Sequence, residues 1–425
     1  MTKSLSHTRT DRALDQFLRH ARLGQEMGIG RQLIEDDQFT GDTITVRGHE
    51  LINFGLCSYL GLGTDPRVTA GAIDATGRYG TSYSSSMAYT ALGLYGDLKA
   101  RLREMLGAPV VVAASTSLAH LSALPVLVRS GDTVLVDAVA HASLLQVLPL
   151  LGANGATLIQ VPHSDLERVA ELAESAPGRV WYILDGLYSM HGDTAPAERL
   201  IEMLDAYPNL WLYCDDAHGF GWSGDRGQGQ FLQRAGWHER LVMAFGLAKS
   251  FGTMGGVVAT PDPDTVELIE ATGGPMLFGG PLPPGTLGAG IASADIHLSD
   301  ELPRLQHELL DRIDLVHQVA DRIGLPLSVK ERTPLWFVEV GSSLSTVSAM
   351  TSMAHHGFYV NGAVFPVVPR NRAGVRFTVT TYLSESQIEE MLVQLEEVRL
   401  AHSGPGDVVD LTPLEHLSSP ASSRA

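Results

Sequence analysis

Two stretches carry residues that can do chemistry together. In WLYCDDAHGFG the apolar run Trp211, Leu212, Tyr213 leads into two carboxylates, Asp215 and Asp216, followed by His218. In AFGLAKSFGTMGG a second apolar run delivers Lys249 into a glycine-rich turn. A lysine among apolar neighbours suits Schiff-base chemistry, because desolvation disfavours the ammonium form and frees the amine. Acids and an imidazole at the end of one strand, with a lysine just past the end of another, describe a pocket at one edge of a parallel sheet. Open α/β sheets bind their ligands at that edge. Adjacent side chains of a strand face opposite ways, so only one of Asp215 and Asp216 should face such a pocket.

DDAHGFG and the lysine of AKSFGTMGG together resemble the α-oxoamine synthase family of pyridoxal-phosphate (PLP) enzymes, over a span from about Asn53 to His402. The resemblance implies a PLP-dependent acyltransferase. It would condense an α-amino acid with an acyl thioester, on coenzyme A or a carrier protein, with loss of CO2 to give an α-amino ketone. It also implies roles for individual residues. Lys249 binds the cofactor aldehyde and later carries a proton. Asp215, three positions before His218, pairs with the pyridine nitrogen and keeps it protonated, and that spacing selects it over Asp216. His218 holds the ring oxygen, and His141, in VAHASL, stacks on the ring. Asp185 and Ser189, in LDGLYSMHGD, fall in a segment that lies near the ring, with His191 where the family usually has Asp. Arg376, in GVRFTVT, would hold the amino-acid carboxylate with its planar fork.

The resemblance also shows departures. The phosphate end reads Ser115-Thr116-Ser117 where the family often has Ser-Gly-aromatic, Gly246 stands where it has Thr, and Gly279-Gly280 where it has hydroxyls reaching a partner subunit. Backbone N–H groups at the helix N-terminus after Ser115 can still bind phosphate, and Ser250 beside the lysine is a further candidate. On the substrate side Cys57 takes the place of an Asn, and Met87 that of an Arg. These changes keep two other readings open: an aminotransferase of the same fold, which His218 argues against, and a catalytically idle PLP-fold scaffold, which Lys249, Asp215 and His218 argue against.

The remainder of the chain bounds these readings. With 425 residues, 44% of them hydrophobic, it can bury a large core in more than one domain. Thirty basic against 48 acidic side chains, a formal charge of −18, argue against nucleic acid or an anionic membrane as partner. Two cysteines, Cys57 and Cys214, make no disulfide framework, and the expected compartment is a reducing cytoplasm. The first residues, MTKSLSHTRTDR, lack the apolar core of a signal peptide, and no run is long and apolar enough for a transmembrane helix. The pair His355-His356 has neither an HExxH context nor a Cys/His cluster, so no metal site is expected, and the glycine runs form no dinucleotide fingerprint.

Positioning falls to alternating strands and helices. Apolar runs at Val110–Ala114, Thr133–Asp137, Thr157–Val161, Val180–Asp185, Asn209–Asp215, Leu241–Gly246 and Gly256–Thr260 predict seven strands, separated by helical segments. This order predicts an α/β fold with a mainly parallel sheet covered on both faces. It matches the large domain of fold-type I PLP-dependent transferases. Thr43–Val46 and Leu51–Phe54 around Gly48 predict a hairpin. Thr10 caps a first helix, Asp65-Pro66 starts another, Ser164 with Glu167 forms a capping box, and residues 273–285 read as loop. The expected organisation is an N-terminal arm and helix (1–60), a large PLP-binding domain (61–295), a small α+β domain (296–402) and a disordered Ser/Pro/Gly-rich tail (403–425). The family resemblance adds a homodimer.

Overall fold

The computed structural model describes residues 18–402 apart from His20, Gly28, Pro366 and Arg370. Of the helix expected from Thr10, residues 18–19 and 21–26 are helical; its start, the polar stretch 1–9 and the tail at 403–425 lie outside the described residues. The chain divides into two compact units. The larger comprises Cys57–Ser189 and Asp193–Leu309; the smaller holds the described residues up to Leu56, residues 190–192, and those from Leu310 on.

The smaller unit begins with strands β1 (Thr43–Val46) and β2 (His49–Asn53), an antiparallel hairpin that turns through Arg47 and Gly48, both at positive φ. The larger unit is built on β3 (Val110–Ala113), β4 (Thr133–Asp137), β5 (Thr157–Val161), β6 (Val180–Asp185), β7 (Leu210–Asp215), β8 (Leu241–Gly246) and β9 (Gly256–Ala259). These lie in the order β3-β9-β8-β7-β6-β4-β5. β9 runs antiparallel to both neighbours and the other pairs are parallel. The central strands are apolar throughout because both faces are covered. Along β7, Leu212 and Cys214 enter one apolar cluster and Tyr213 the other.

The stretch expected as loop at 273–285 differs. Residues Gly274–Phe278 form a short helix, and a second helix, Pro284–His297, follows. This second helix has no polar stripe, since its residues are Gly, Ala and aliphatic on most sides, so periodicity does not reveal it. Its glycines serve close packing against the helix Pro66–Tyr79: a Cβ on Gly288 would fall 2.2 Å from the Gly71 carbonyl oxygen. The capping box expected at Ser164 also differs. Ser164 takes a positive φ of 54° and gives its N–H to Asp137, while Asp165 caps the helix Leu166–Ser175.

Asp137, at the end of β4, organises this corner. It accepts from Val139 N, Ser164 N and the Tyr182 hydroxyl, at 2.8, 2.9 and 3.0 Å. His163 bridges it to a second carboxylate, with Nδ1 3.0 Å from Asp137 Oδ1 and Nε2 2.7 Å from Asp193 Oδ2. Burial works against the imidazolium, but hydrogen bonds to Asp137 and Asp193 outweigh it and push His163 up from 6.5 to about 10. A group whose pKa is raised on folding stabilises the fold below its unfolded pKa and loses that contribution as pH rises through the folded value. His163→Gln should therefore depress the melting temperature most below pH 6.5. The deficit should shrink between pH 6.5 and about 10 and be absent above that. Melting curves of both proteins across this range check it, and a deficit independent of pH would contradict it.

In the smaller unit β10 (Leu335–Gly341), β12 (Asn361–Ala363) and β13 (Ala373–Thr378) form an antiparallel sheet in the order β10-β13-β12, while β11 (Phe358–Tyr359) pairs parallel with β2. The N-terminal arm expected over 1–60 thus joins the C-terminal residues through backbone pairing. The division between the two compact units falls between Leu309 and Leu310, inside the helix Leu302–Ile323. The last helix, Glu385–His402, starts with reciprocal bonds between Ser384 and Gln387 and buries Ile388, Met391, Leu392 and Leu395, as its pattern predicts. Among the described residues no helix is long and apolar enough to cross a membrane.

Candidate functional site

The larger unit has a cavity of about 190 Å3 lined by Ser115, Thr116, Ser117, His141, Asp185, Asp215, His218 and Lys249, with Ser143, Leu187, Ala217, Ala248, Met254 and Gly255. Each polar residue reaches it for the same topological reason. Asp185 and Asp215 are the last residues of β6 and β7, Lys249 follows β8, and Ser115 and His141 follow β3 and β4. All are at the carboxyl edge of parallel strands, where side chains leave the sheet towards a ligand.

Asp215 and Asp216 separate as strand alternation requires. Asp215 lines the cavity, whereas Asp216 is absent from the lining, fully buried, and accepts from Phe231 N at 2.9 Å. Burial pushes Asp216 up to about 7. Asp185 and Asp215 stand side by side in register, and their surroundings drive them apart. Burial and the charge of Asp215 hold Asp185 well above the usual carboxylate range. Burial acts on Asp215 too, but His120 beside it and Lys249 outweigh this and hold it below its usual value. Such a split leaves one acid protonated and one ionised.

His141 caps the short helix Ala142–Leu145, its Nδ1 2.7 Å from Ser143 Oγ, and its N–H donates to Asp185 at 3.1 Å. Burial lowers its pKa, so the ring is neutral at pH 7. His218 Nδ1 lies 2.8 Å from the hydroxyl of Tyr59, which is fully buried. Ser115 caps the twelve-residue helix Thr116–Leu127 by accepting from Leu118 N. The first N–H groups of any helix lack intrahelical partners and suit an anion.

Other expected site residues are placed elsewhere. Ser189 is half-buried and outside the cavity lining. Ser250 is fully buried and packs beside Gly221, also outside the lining. Its position next to Lys249 in sequence does not carry its hydroxyl into the cavity. Cys57 is half-buried in the larger unit. Arg376 belongs to the smaller unit, on β13, opposite Phe337 on one side and Asn361 on the other, and is 8% exposed. His191 packs edge-on against Phe337 with ring centroids 5.0 Å apart.

Gly246 has a steric explanation. A Cβ there would lie 3.0 Å from Thr116 Oγ1 and 3.1 Å from Ala217 Cβ. The Thr116 side chain thus uses the room that a side chain at 246 would need. Gly246→Thr should destabilise the protein by about 1–3 kcal/mol through overpacking. Combining it with Thr116→Ala, which removes the obstructing hydroxyl, should restore part of the loss. Denaturant melts of the three variants test this; equal losses for the single and double variants would refute it.

Three partners of the site were not legible: Tyr59, Tyr213 and His120. His120 carries the only available signal, a polar residue inside the otherwise apolar helix TSLAHLSALPVL. The lining as a whole fits pyridoxal phosphate. An amine, a carboxylate held ionised, a neutral imidazole and a helix N-terminus share one cavity.

The family model for class I and II aminotransferases matches residues 49–395. The chain is similar to the 8-amino-7-oxononanoate synthase of Symbiobacterium thermophilum, with 30% identity over 91% of this chain and 98% of that one. It is also similar to the 8-amino-7-oxononanoate synthase of Pseudomonas aeruginosa, with 32% identity over 89% and 92% of the two chains. Among solved structures, serine palmitoyltransferase of Sphingomonas wittichii superposes with a TM-score of 0.84 at 22% identity, covering 94% of this chain and 99% of the other.

Proposed function

We propose a reaction for this chain, which belongs to the class I and II aminotransferase family and, within it, to the α-oxoamine synthases: the PLP-dependent decarboxylative condensation of an α-amino acid with an acyl thioester. The observation that carries it is the convergence of Lys249, Asp215, His141 and His218 on one cavity at the carboxyl edge of the sheet. When bound, pyridoxal phosphate supplies an electron sink for the bond broken at the amino-acid Cα. The chain's own residues do the rest. Lys249 tethers the cofactor through Nζ, then takes the Cα proton and returns one. Asp215 pairs with the pyridine nitrogen, and its ionised state favours the protonated ring. His141 presents a neutral face to the ring. His218, steadied by Tyr59, holds the ring oxygen. The N-terminus of the helix Thr116–Leu127, with Ser115, Thr116 and Ser117 around it, takes the phosphate. Asp185 completes the wall beside Asp215. Arg376 keeps the role the resemblance implies, binding the amino-acid carboxylate, and Cys57 that of a substrate-side residue.

Two further features belong to this proposal. The first is a homodimer, supported by large apolar side chains left exposed on the larger unit, Tyr89, Phe278 and Ile73. The second is a cytoplasmic location, supported by a sequence with only two cysteines, too few for a disulfide framework. The experiment is a panel of small amino acids with and without acyl-coenzyme A. CO2 and free thiol should appear in equal amounts, and only when both substrates are present. Conversion of bound cofactor to its amine form by amino acid alone would instead identify an aminotransferase.

A further inference from the structure

The two oxygens of Asp215 are held from different sides. Oδ1 accepts from the N–H of Ala217, two residues on, at 3.0 Å. Oδ2 lies 2.9 Å from Nε2 of His120. His120 is on the helix Thr116–Leu127, none of its side chain is exposed, and it is outside the cavity lining. Its other nitrogen, Nδ1, lies 2.9 Å from the hydroxyl of Tyr213, which is also fully buried. Tyr213 and Asp215 are two apart on β7 and so point to the same side of the sheet. One helix residue therefore spans two same-face residues of one strand.

The hydrogens can be assigned from the groups themselves. An ionised carboxylate only accepts, so Nε2 must carry a hydrogen and donate to Asp215. Burial raises the Tyr213 phenol well above its ordinary pKa, so it keeps its proton and can donate to Nδ1. With His120 Nε2–H donated to Asp215 Oδ2 and Nδ1 bonded to the Tyr213 hydroxyl, both ring nitrogens have a partner. A histidine buried at this depth costs desolvation that an apolar residue would not, and one of its two bonds goes to the carboxylate that lines the cavity while the other goes to Tyr213.

We propose that His120, oriented by Tyr213, is a positioning residue that holds Asp215 ionised and aimed at a protonated ring nitrogen of the cofactor. The proposal rests on the reading of Asp215 as partner of the pyridine nitrogen. His120 touches neither cofactor nor substrate; it acts through Asp215. Without it, Oδ2 becomes a buried carboxylate oxygen with one donor fewer, and the ionised form loses a charge-assisted bond.

The test is equilibrium binding to the cofactor-free full chain of two probes, pyridoxal phosphate and its 1-deaza analogue, in which the ring nitrogen is replaced by C–H. The proteins are wild type, His120→Leu, His120→Gln and Tyr213→Phe. Wild type should prefer pyridoxal phosphate. His120→Leu should cut that preference by about tenfold or more, the size of one hydrogen bond to a charged group. His120→Gln, which can still donate to Asp215, should retain most of it, and Tyr213→Phe should reduce it in the same direction by less. A packing role alone would weaken both probes equally, and an unchanged ratio in His120→Leu overturns the proposal. If His120→Leu does not fold, Tyr213→Phe decides, and an unchanged ratio in it overturns the proposal as well. A wild type that binds both probes equally would instead overturn the pairing of Asp215 with the ring nitrogen, and this proposal with it.

Discussion

Lys249→Ala should bind pyridoxal phosphate only reversibly, so that dialysis strips it, and should turn over at least about 10³-fold more slowly than wild type. Two losses combine in this figure. The covalent tether goes, and so does the group that moves the proton at Cα. Positioned proton transfer alone contributes about 10²–10⁴-fold. The fold should survive, because Lys249 is half-buried at the cavity wall rather than packed in the core. Absorbance of the bound cofactor before and after dialysis, together with CO2 release under substrate saturation, reads both effects. Turnover within tenfold of wild type would remove Lys249 from the chemistry.

Asp215→Asn should have the next largest effect, about 10²–10³-fold in turnover, the range for losing one preorganised electrostatic contact to developing charge. The amide is nearly isosteric. Its oxygen can still accept the N–H of Ala217 or the imidazole N–H of His120, so the architecture should hold. What disappears is the negative charge, which His120 and Lys249 sustain against burial in the native chain. A carboxylate held below its usual pKa stabilises the fold in its ionised form, and removing one partner of a buried pair leaves the other uncompensated, so the cofactor-free variant should melt below the wild-type temperature at neutral pH. A thermal melt beside a turnover assay separates the two. Turnover within tenfold of wild type, measured well below the melting temperature, would remove Asp215 from the chemistry. The same substitution at Asp216, which faces away from the cavity, should leave turnover far less affected.

Much of the fold was legible because the central strands are buried on both faces. Val180–Asp185 and Leu210–Asp215 read as apolar runs closed by a carboxylate, and such a run has few other ways to satisfy its backbone and bury its side chains. The helix Pro284–His297 was not legible. Its glycines at 285, 288 and 290 are poor evidence of a helix on intrinsic preference, and Gly288 lets two backbones meet at Gly71. Ser164 and Asp165 are both good caps; Asp137, distant in sequence, decides between them by taking the Ser164 N–H.

The candidate site divides in the same way. By itself the sequence pointed to the candidate reactive groups, namely Lys249, the carboxylate three positions before His218, and a strand-end acid at 185. Residue type and the two-residue period of a strand say that one of Asp215 and Asp216 faces the pocket, and the resemblance to the α-oxoamine synthases says which one; both signals are local. Only the tertiary structure decided which groups support them. Thr116 takes the space left open by Gly246, Tyr59 meets His218, His120 and Tyr213 hold Asp215, and Ser250 turns away from the cavity despite its place beside Lys249. Those pairings join residues on different elements, often a hundred or so positions apart. Their distances are set by how helices pack on the sheet, and no spacing along the chain records that.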